Sequence, residues 1–343
     1  MKMSTKSTSK VSVVIPNWNG IDDLPGCINS LLAQSQPHRI IVVENGSSDG
    51  SLEFLQREYP QVELIVHRKN KGFAGGVNAG IRKSLADDDD FVALFNNDAV
   101  ADKDWLKQLV NDLAVNEDAG IATCKIVDSL GEHMDSTGEC YTSWGLSYPR
   151  GRGEPVSDKY DDRVQVFGAS GGASLYRIKM LEKIGLFDED FFAYYEDVDI
   201  SFRAQLAGWK VRYVPEAMVY HQIGATSGKI KGFTTYQTIK NLPWILHKNA
   251  PFTVYWRIFP KFIFVYFSFI ISAAWRGYYW QAWKGFMVMW FGLPKKTIQR
   301  FKIQHNRKVS SRYIWNSISH ELPPNAYKLH LLFHPLKTLR GKS

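Results

Sequence analysis

Val11-Ser12-Val13-Val14-Ile15-Pro16-Asn17-Trp18-Asn19 and Phe91-Val92-Ala93-Leu94-Phe95-Asn96-Asn97-Asp98 share one pattern. In each, a short apolar run, β-branched or aromatic, stops abruptly on polar residues. Such runs read as buried strands. Two more lie between them, at 39–43 and 62–67. The stretches that connect the four have helical spacing. Residues 22–35 place Leu24, Cys27, Ile28, Leu31 and Leu32 at helical intervals, and 74–85 and 105–115 read as helices. Glu44-Asn45-Gly46-Ser47-Ser48-Asp49-Gly50 is turn and N-cap chemistry opening another helix. The alternation predicts an α/β fold: a mostly parallel, doubly wound sheet flanked by helices, with right-handed crossovers.

In such sheets ligands sit beyond the carboxyl ends of the strands. Those ends carry Asn17-Trp18-Asn19, Glu44-Asn45, Arg68 with Asn70, and Asn97-Asp98. All four groups are polar, and their agreement in position says more than any one of them. The glycines from Gly72 to Gly80 lack the G-x-G-x-x-G spacing of a dinucleotide site.

A second cluster lies further along. Phe191-Phe192-Ala193-Tyr194-Tyr195 runs directly into Glu196-Asp197-Val198-Asp199. Carboxylates resist burial unless paired, hydrogen-bonded or metal-bound, and like charges this close raise each other's proton affinity. Residues 198–206 read as a helix starting in this cluster, and 209–221 as a strand or hairpin ending at His221. Gly168-Ala169-Ser170-Gly171-Gly172-Ala173 is a small-residue segment that allows close approach of a ligand to the backbone.

Charge divides the chain. Residues 1–228 carry 23 Lys/Arg and 33 Asp/Glu; residues 229–343 carry 19 Lys/Arg and a single acid, Glu321. A basic half of this kind predicts a polyanionic partner. Residues 252–293 hold 17 of the 47 aromatics, and 262–275 is a charge-free run. At 14 residues that run is shorter than the roughly 20 a spanning helix needs. Trp and Tyr at the headgroup level, with Lys and Arg nearby, fit an anionic membrane surface, and the sequence leaves open whether 262–293 crosses the membrane or lies in its interface. Residues 1–10 are polar, without the apolar core of a signal peptide, and predict a disordered tail. Cys27, Cys124 and Cys140 have no zinc spacing and read as reduced thiols. The expected location is the cytoplasmic face of the cell membrane.

Taken in order, Val13 to Asn19, Glu44 to Gly50, Asn70 to Ile81, Leu94 to Ala99, Gly168 to Ala173, Glu196 to Asp199 and Val219-Tyr220-His221 resemble the family 2 inverting glycosyltransferases of GT-A fold. The likeness is greatest to the rhamnosyltransferase-type branch that builds bacterial cell-surface polysaccharides. It spans about two thirds of the chain, residues 11–228, and leaves 229–343 as a helical membrane-interface region.

The resemblance implies roles. Asp197 would be the catalytic base, with Glu196 beside it. Asp98 and His221 would hold Mg²⁺ or Mn²⁺ against the donor diphosphate. The usual Asp-x-Asp begins here with Asn96, so one strong ligand of that pair remains. Pro16, Asn17, Trp18, Asn19, Glu44, Asn45, Asp49, Arg68, Asn70, Gly72, Asn78, Asn97 and Asp98 would form the donor site. Gly171, Gly172, Tyr195 and Asp199 would meet the acceptor. Without the resemblance, Asp98 reads equally as an N-cap, His221 as structural, and Trp18 as core.

The expected function is transfer of a sugar, rhamnose by resemblance, from a nucleotide-diphosphate donor such as dTDP-rhamnose to a lipid-linked glycan acceptor by direct displacement. Flat amphipathic elements leave a homodimer open. Two rival readings are a nucleic-acid-binding protein and a catalytically inactive sugar-binding subunit. The first is disfavoured because the apolar block 262–275 excludes the charges that ought to be interleaved with stacking rings.

Overall fold

The computed structural model describes residues 9–222, 230–324 and 326. Most of the tail predicted to be disordered, and the 228/229 division, lie outside the described residues.

The four apolar runs form parallel strands. These are β1 (Val11–Asn17), β2 (Arg39–Glu44), β3 (Glu63–Val66) and β4 (Phe91–Phe95), in spatial order β3-β2-β1-β4. Helices α1 (Leu24–Leu32), α2 (Ser51–Glu58) and α3 (Gly72–Ala86) connect them. Both faces of the sheet are covered, which is why its strands are continuously apolar. Val13, Ile15, Val42, Ala93 and Phe95 share a core with α1 and α4 (Trp105–Val115), while Val14, Ile41, Val43, Val92 and Leu94 share one with α3. Gly80 lets α3 sit tight on the sheet, since a Cβ there would fall 2.3 Å from Val14 Cγ1.

The second half of the sheet is mixed. It comprises β5 (Ala99–Ala101), β6 (Ala119–Asp128), β7 (Met134–Ser136), β10 (Val164–Val166), β11 (Ala173–Arg177) and β12 (Lys210–His221). A separate hairpin is formed by β8 (Glu139–Tyr141) and β9 (Ser147–Pro149). β11 lies antiparallel between β4 and β6, and β12 runs parallel to β6. Helices α5 (Ile178–Ile184) and α6 (Glu196–Leu206) follow β11.

Among its described residues the basic segment forms four helices: α7 (Phe233–Asn249), α8 (Phe252–Trp275), α9 (Tyr279–His305) and α10 (Ser311–Ser317). Arg276, Gly277 and Tyr278 separate α8 from α9, with Gly277 at φ +80. These helices share one core with the sheet domain: Tyr141, Phe167, Phe191 and Phe202 pack in the same cluster as Ile239, Trp244, Ile258 and Phe262.

Their charges are not all outward. Lys248 reaches Asp188 at 2.6 Å and Asp199 at 2.9 Å, and Lys296, fully buried, reaches Asp188 at 2.7 Å and Asp190 at 2.8 Å. Part of the positive charge of the basic segment therefore meets the acidic half of the same chain. The outward face of α8 and α9 is aromatic, with Trp256, Phe264, Trp275, Trp280, Trp283 and Trp290 exposed. Among the described residues α8 alone is long and apolar enough to cross a membrane.

Candidate active site

The strand ends converge on a cavity of about 880 Å³. Register places Asn17 beside Glu44. Asn17 then donates to Glu44 Oε2 at 2.7 Å and accepts from Asn97 Nδ2 at 2.8 Å, which ties the ends of β1, β2 and β4 together. Asn45 donates to the Gly72 carbonyl and accepts from the Lys71 N–H, both at 3.0 Å, which fixes the start of α3. Trp18 is half-buried, belongs to none of the hydrophobic core clusters, and lines the cavity. That separates it from ordinary core packing.

At the end of β12, His221 lies between two carboxylates. Nε2 is 3.1 Å from Asp98 Oδ1 and Nδ1 is 2.8 Å from Asp135 Oδ2. Burial alone pulls the imidazole down, but the hydrogen bonds to Asp135 and Asp98 outweigh it and raise the pKa to about 9. Arg152 donates to the other oxygen of Asp135 at 2.6 Å.

The donor set at Asp98 and His221 fits a hard divalent cation shared with a diphosphate. One carboxylate and one imidazole nitrogen converge, and the second ring nitrogen is held by a carboxylate, as in many metal-bound histidines. Two protein donors do not make a closed site, and among the described residues no cluster of three or more such groups is placed to hold an ion.

The acidic cluster completes the wall. Asp197 Oδ2 accepts from the Gly171 N–H at 3.1 Å and Oδ1 from the Val198 N–H at 2.8 Å. Burial raises its proton affinity against those two bonds. Burial and the neighbouring Asp197 raise Glu196 to about 8, and among the described residues the buried Oε2 of Glu196 has no hydrogen-bond partner. Burial and Asp197 also hold Glu139 well above the usual carboxylate range. Gly172, next to Gly171, lies against Asn96, since a Cβ there would be 3.0 Å from Asn96 Nδ2; that amide is 3.3 Å from His221 Nε2. Two consecutive glycines thus link the Asp197 carboxylate to the Asp98–His221 pair.

Residues 12–185 match the family described as glycosyl transferase family 2. The chain belongs to that family. It is a glycosyltransferase of GT-A-like fold. Over 220 residues it is 29% identical to an N-acetylglucosaminyl-diphospho-decaprenol L-rhamnosyltransferase of Mycobacterium tuberculosis, an alignment covering 58% of this chain and 71% of that one. Solved structures agree in fold. A GalNAc-T7 structure with UDP, GalNAc and Mn²⁺ superposes with a TM-score of 0.62 at 15% identity, covering 95% of this chain and 58% of that one. A mannosyltransferase of Pyrobaculum calidifontis with GDP-Man and Mn²⁺ gives 0.51 at 15% identity, covering 91% and 88%.

In this glycosyltransferase the cavity brings together Pro16, Asn17, Trp18, Asn45, Asn70, Gly72, Asn97, Asp98, Gly171, Gly172, Tyr195, Glu196, Asp197 and His221. Six other residues expected at the site do not line it. Glu44 is a strut whose oxygens are taken by Asn17 and the Ser47 N–H. Asp49 accepts from the Ile21 and Ser51 N–H groups and anchors the start of α2, while Asn19 accepts from the Ser48 N–H. Asn78 is buried, its amide spent on the Phe187 backbone and Glu189. Arg68 is exposed outside the cavity. Asp199 is fully buried and pairs with Arg203 and Lys248.

Sequence reading passed over Asp135, Glu139 and Arg152, all of which line the cavity. They lie on and around the β8–β9 hairpin. The one signal for it is Gly145, whose φ of +72 suits the turn between these strands. A second cavity, of about 940 Å³ between α5, α6 and α9, contains no residue from the carboxyl end of a strand, and we do not assign the reaction to it.

Proposed function

We propose that this cleft transfers rhamnose from dTDP-rhamnose to a saccharide carried on a polyprenyl diphosphate, inverting the anomeric carbon in one displacement. The observation that carries the reading is Asp197. It is a carboxylate with raised proton affinity, held by a backbone N–H, on the wall of a cavity whose lining also presents Asp98 and His221. A general base must accept a proton near working pH, and burial shifts a carboxylate that way.

Asp197 takes the proton of the acceptor hydroxyl as its oxygen bonds to the anomeric carbon. The bond from that carbon to the donor diphosphate breaks, and the diphosphate departs with the electron pair. Trp18 stacks on the base, with Asn17, Asn45 and Asn70 around the nucleoside. A Mg²⁺ or Mn²⁺ ion held by Asp98 and His221 would neutralise charge on the leaving diphosphate. The choice of sugar and carrier is supported by the relative whose name specifies L-rhamnose and decaprenol.

We also propose that the exposed aromatic face of α8 and α9 lies in the headgroup layer at the cytoplasmic face, beside the lipid-linked acceptor. The enzyme should bind anionic vesicles in a salt-sensitive way and leave oligonucleotides free.

The deciding measurement is thermal stabilisation by a panel of nucleotide sugars with and without Mn²⁺, since a ligand that binds only the native state stabilises it. dTDP-rhamnose should give the largest shift. A panel in which no nucleotide sugar shifts the transition ends the reading.

A further inference from the structure

The base is carried by a backbone that does not hold its own shape. Between the short helical turn Glu189–Phe191 and the start of α6, Phe192, Tyr194 and Tyr195 have φ of 66, 67 and 73. None is glycine, and bulky side chains in this region persist only where surroundings force them. Tyr195 immediately precedes α6, so the three angles set where Glu196 and Asp197 begin.

What forces them comes from α7, beyond the 12–185 stretch that matches the family. The side-chain amide of Asn241, fully buried, donates to the carbonyls of Phe191 at 3.1 Å, Ala193 at 3.1 Å and Tyr194 at 2.8 Å. One NH₂ group thus meets three carbonyls of a four-residue stretch. Three converging acceptors require a donor, and turning the amide round would set oxygen against oxygen. Among the described residues Asn241 Oδ1 has no hydrogen-bond partner, so the bonds this side chain makes all go to that task. Lys240, next to it, donates to the carbonyls of Asp190 at 3.0 Å and Phe191 at 3.1 Å. On the other side Gly72 takes the loop without room to spare, since a Cβ there would be 2.3 Å from the Phe192 oxygen.

We propose that Asn241 is a positioning residue for the Asp197 base: its amide holds the left-handed loop so that α6 begins with the Asp197 carboxylate against the Gly171 N–H. It touches neither donor nor reacting atoms. The donor groups on β1, β2 and β4 are tied by their own hydrogen bonds and do not depend on it. The inference rests on the glycosyl transfer reading, in which Asp197 is the base.

Asn241→Leu keeps the volume and removes the donor. Asn241→Asp keeps the shape and makes the donor titratable, since a protonated carboxyl donates one hydrogen bond and a carboxylate none. The assay is transfer from dTDP-rhamnose to a synthetic polyprenyl-diphosphate GlcNAc, with dTDP affinity measured by calorimetry on the same preparations. Asn241→Leu should lower kcat about 100-fold, the scale of an ångström's misplacement of a reacting group, and leave dTDP affinity within about twofold. Asn241→Asp should keep more of the wild-type rate at about pH 6 than at about pH 9, because burial among carbonyls keeps its carboxyl protonated at the lower pH. A merely structural residue predicts equal loss of kcat and dTDP affinity, with no such pH dependence.

If Asn241→Leu keeps wild-type kcat, or loses dTDP affinity as steeply as kcat, the proposal is overturned. Should the Leu variant not fold, the pH dependence of the Asp variant decides alone. Asp197→Asn, run alongside, separates the two ideas. A fully active Asp197→Asn discards the base assignment and this proposal with it; an inactive one that binds dTDP normally leaves Asn241 to be judged on its own variants.

Discussion

The two walls of the cleft are built in opposite ways. The donor wall is made of strand ends, where Asn17, Asn97 and Glu44 bond to one another across neighbouring strands of a sheet buried on both faces. The base wall is a loop in unfavourable backbone angles, held from outside by helices that come 50 to 108 residues later, through Asn241, Lys248 and Lys296. The donor wall is positioned by local pairing. The base wall is positioned by buried charge and amide groups whose removal leaves neighbours unsatisfied. A nucleotide site can therefore survive damage that abolishes catalysis.

The sharpest way to break the comparison is Asp197→Asn. The base wall should lose its chemistry and the donor wall keep its ligand. Transfer should fall about 10²- to 10⁴-fold, the usual contribution of a positioned base, with nucleotide affinity unchanged. Calorimetry with dTDP beside a transfer assay checks both halves.

Lys296→Met tests the support rather than the chemistry. Lys296 is fully buried and shared by Asp188 and Asp190. Removing it strands negative charge, although Asp188 keeps Lys248 and Asp190 keeps Lys295. A loss of about 3 kcal/mol is expected, at the low end for a broken buried pair. Urea unfolding measures it. Residual enzyme at low temperature should still bind dTDP.

This contrast also explains what could be read from the chain beforehand. Asn17, Asn45, Asn97 and Asp98 were legible because strand–helix alternation fixes where a strand's last residue points. The cluster Glu196-Asp197-Val198-Asp199 was legible because three acids after five aromatic or small residues demand an explanation, and the family resemblance singled out Asp197 within it. Residue type alone could not separate ligand from strut: Glu44, Asp49, Asn78 and Asp199 are polar, suitably spaced, and spent on the protein's own backbone or ions. Asp135, Glu139 and Arg152 were missed because they sit where the chain leaves the regular alternation for short antiparallel strands. Asn241 had no signal, since nothing in a helix sequence announces that one amide will meet three distant carbonyls. The charge asymmetry was real, and composition could not tell that Lys248, Lys295 and Lys296 of the basic half pair with acids of the other half.

The metal end can be sharpened by pH. The folded pKa of His221, about 9, lies above its ordinary value of 6.5. The protonated form is therefore favoured by folding. Its contribution is fully present below about pH 6.5 and is lost as pH rises through about 9. Metal-free enzyme should lose stability across that window. Asp135→Asn removes one of the two carboxylates responsible, so the loss should become smaller and end at lower pH. Urea midpoints in chelator-treated buffer follow it. An unchanged window would detach Asp135 from His221.

The smallest effects distinguish members of the donor wall itself. Trp18 stands half-buried on the cavity and outside the core clusters, so Trp18→Ala should weaken dTDP binding about tenfold, within the range of base–aromatic stacking, and leave stability nearly unchanged. Arg68 follows a strand just as Trp18 does, yet it is exposed and away from the cavity. A surface charge free of such features changes energies by no more than about 0.5 kcal/mol, so Arg68→Ala should alter dTDP affinity by less than about threefold. The pair shares a sequence context and differs only in where the strand end leaves the side chain. Equal losses in both variants would mean that the nucleotide extends beyond the cavity to β3, and the donor wall would then include a third strand.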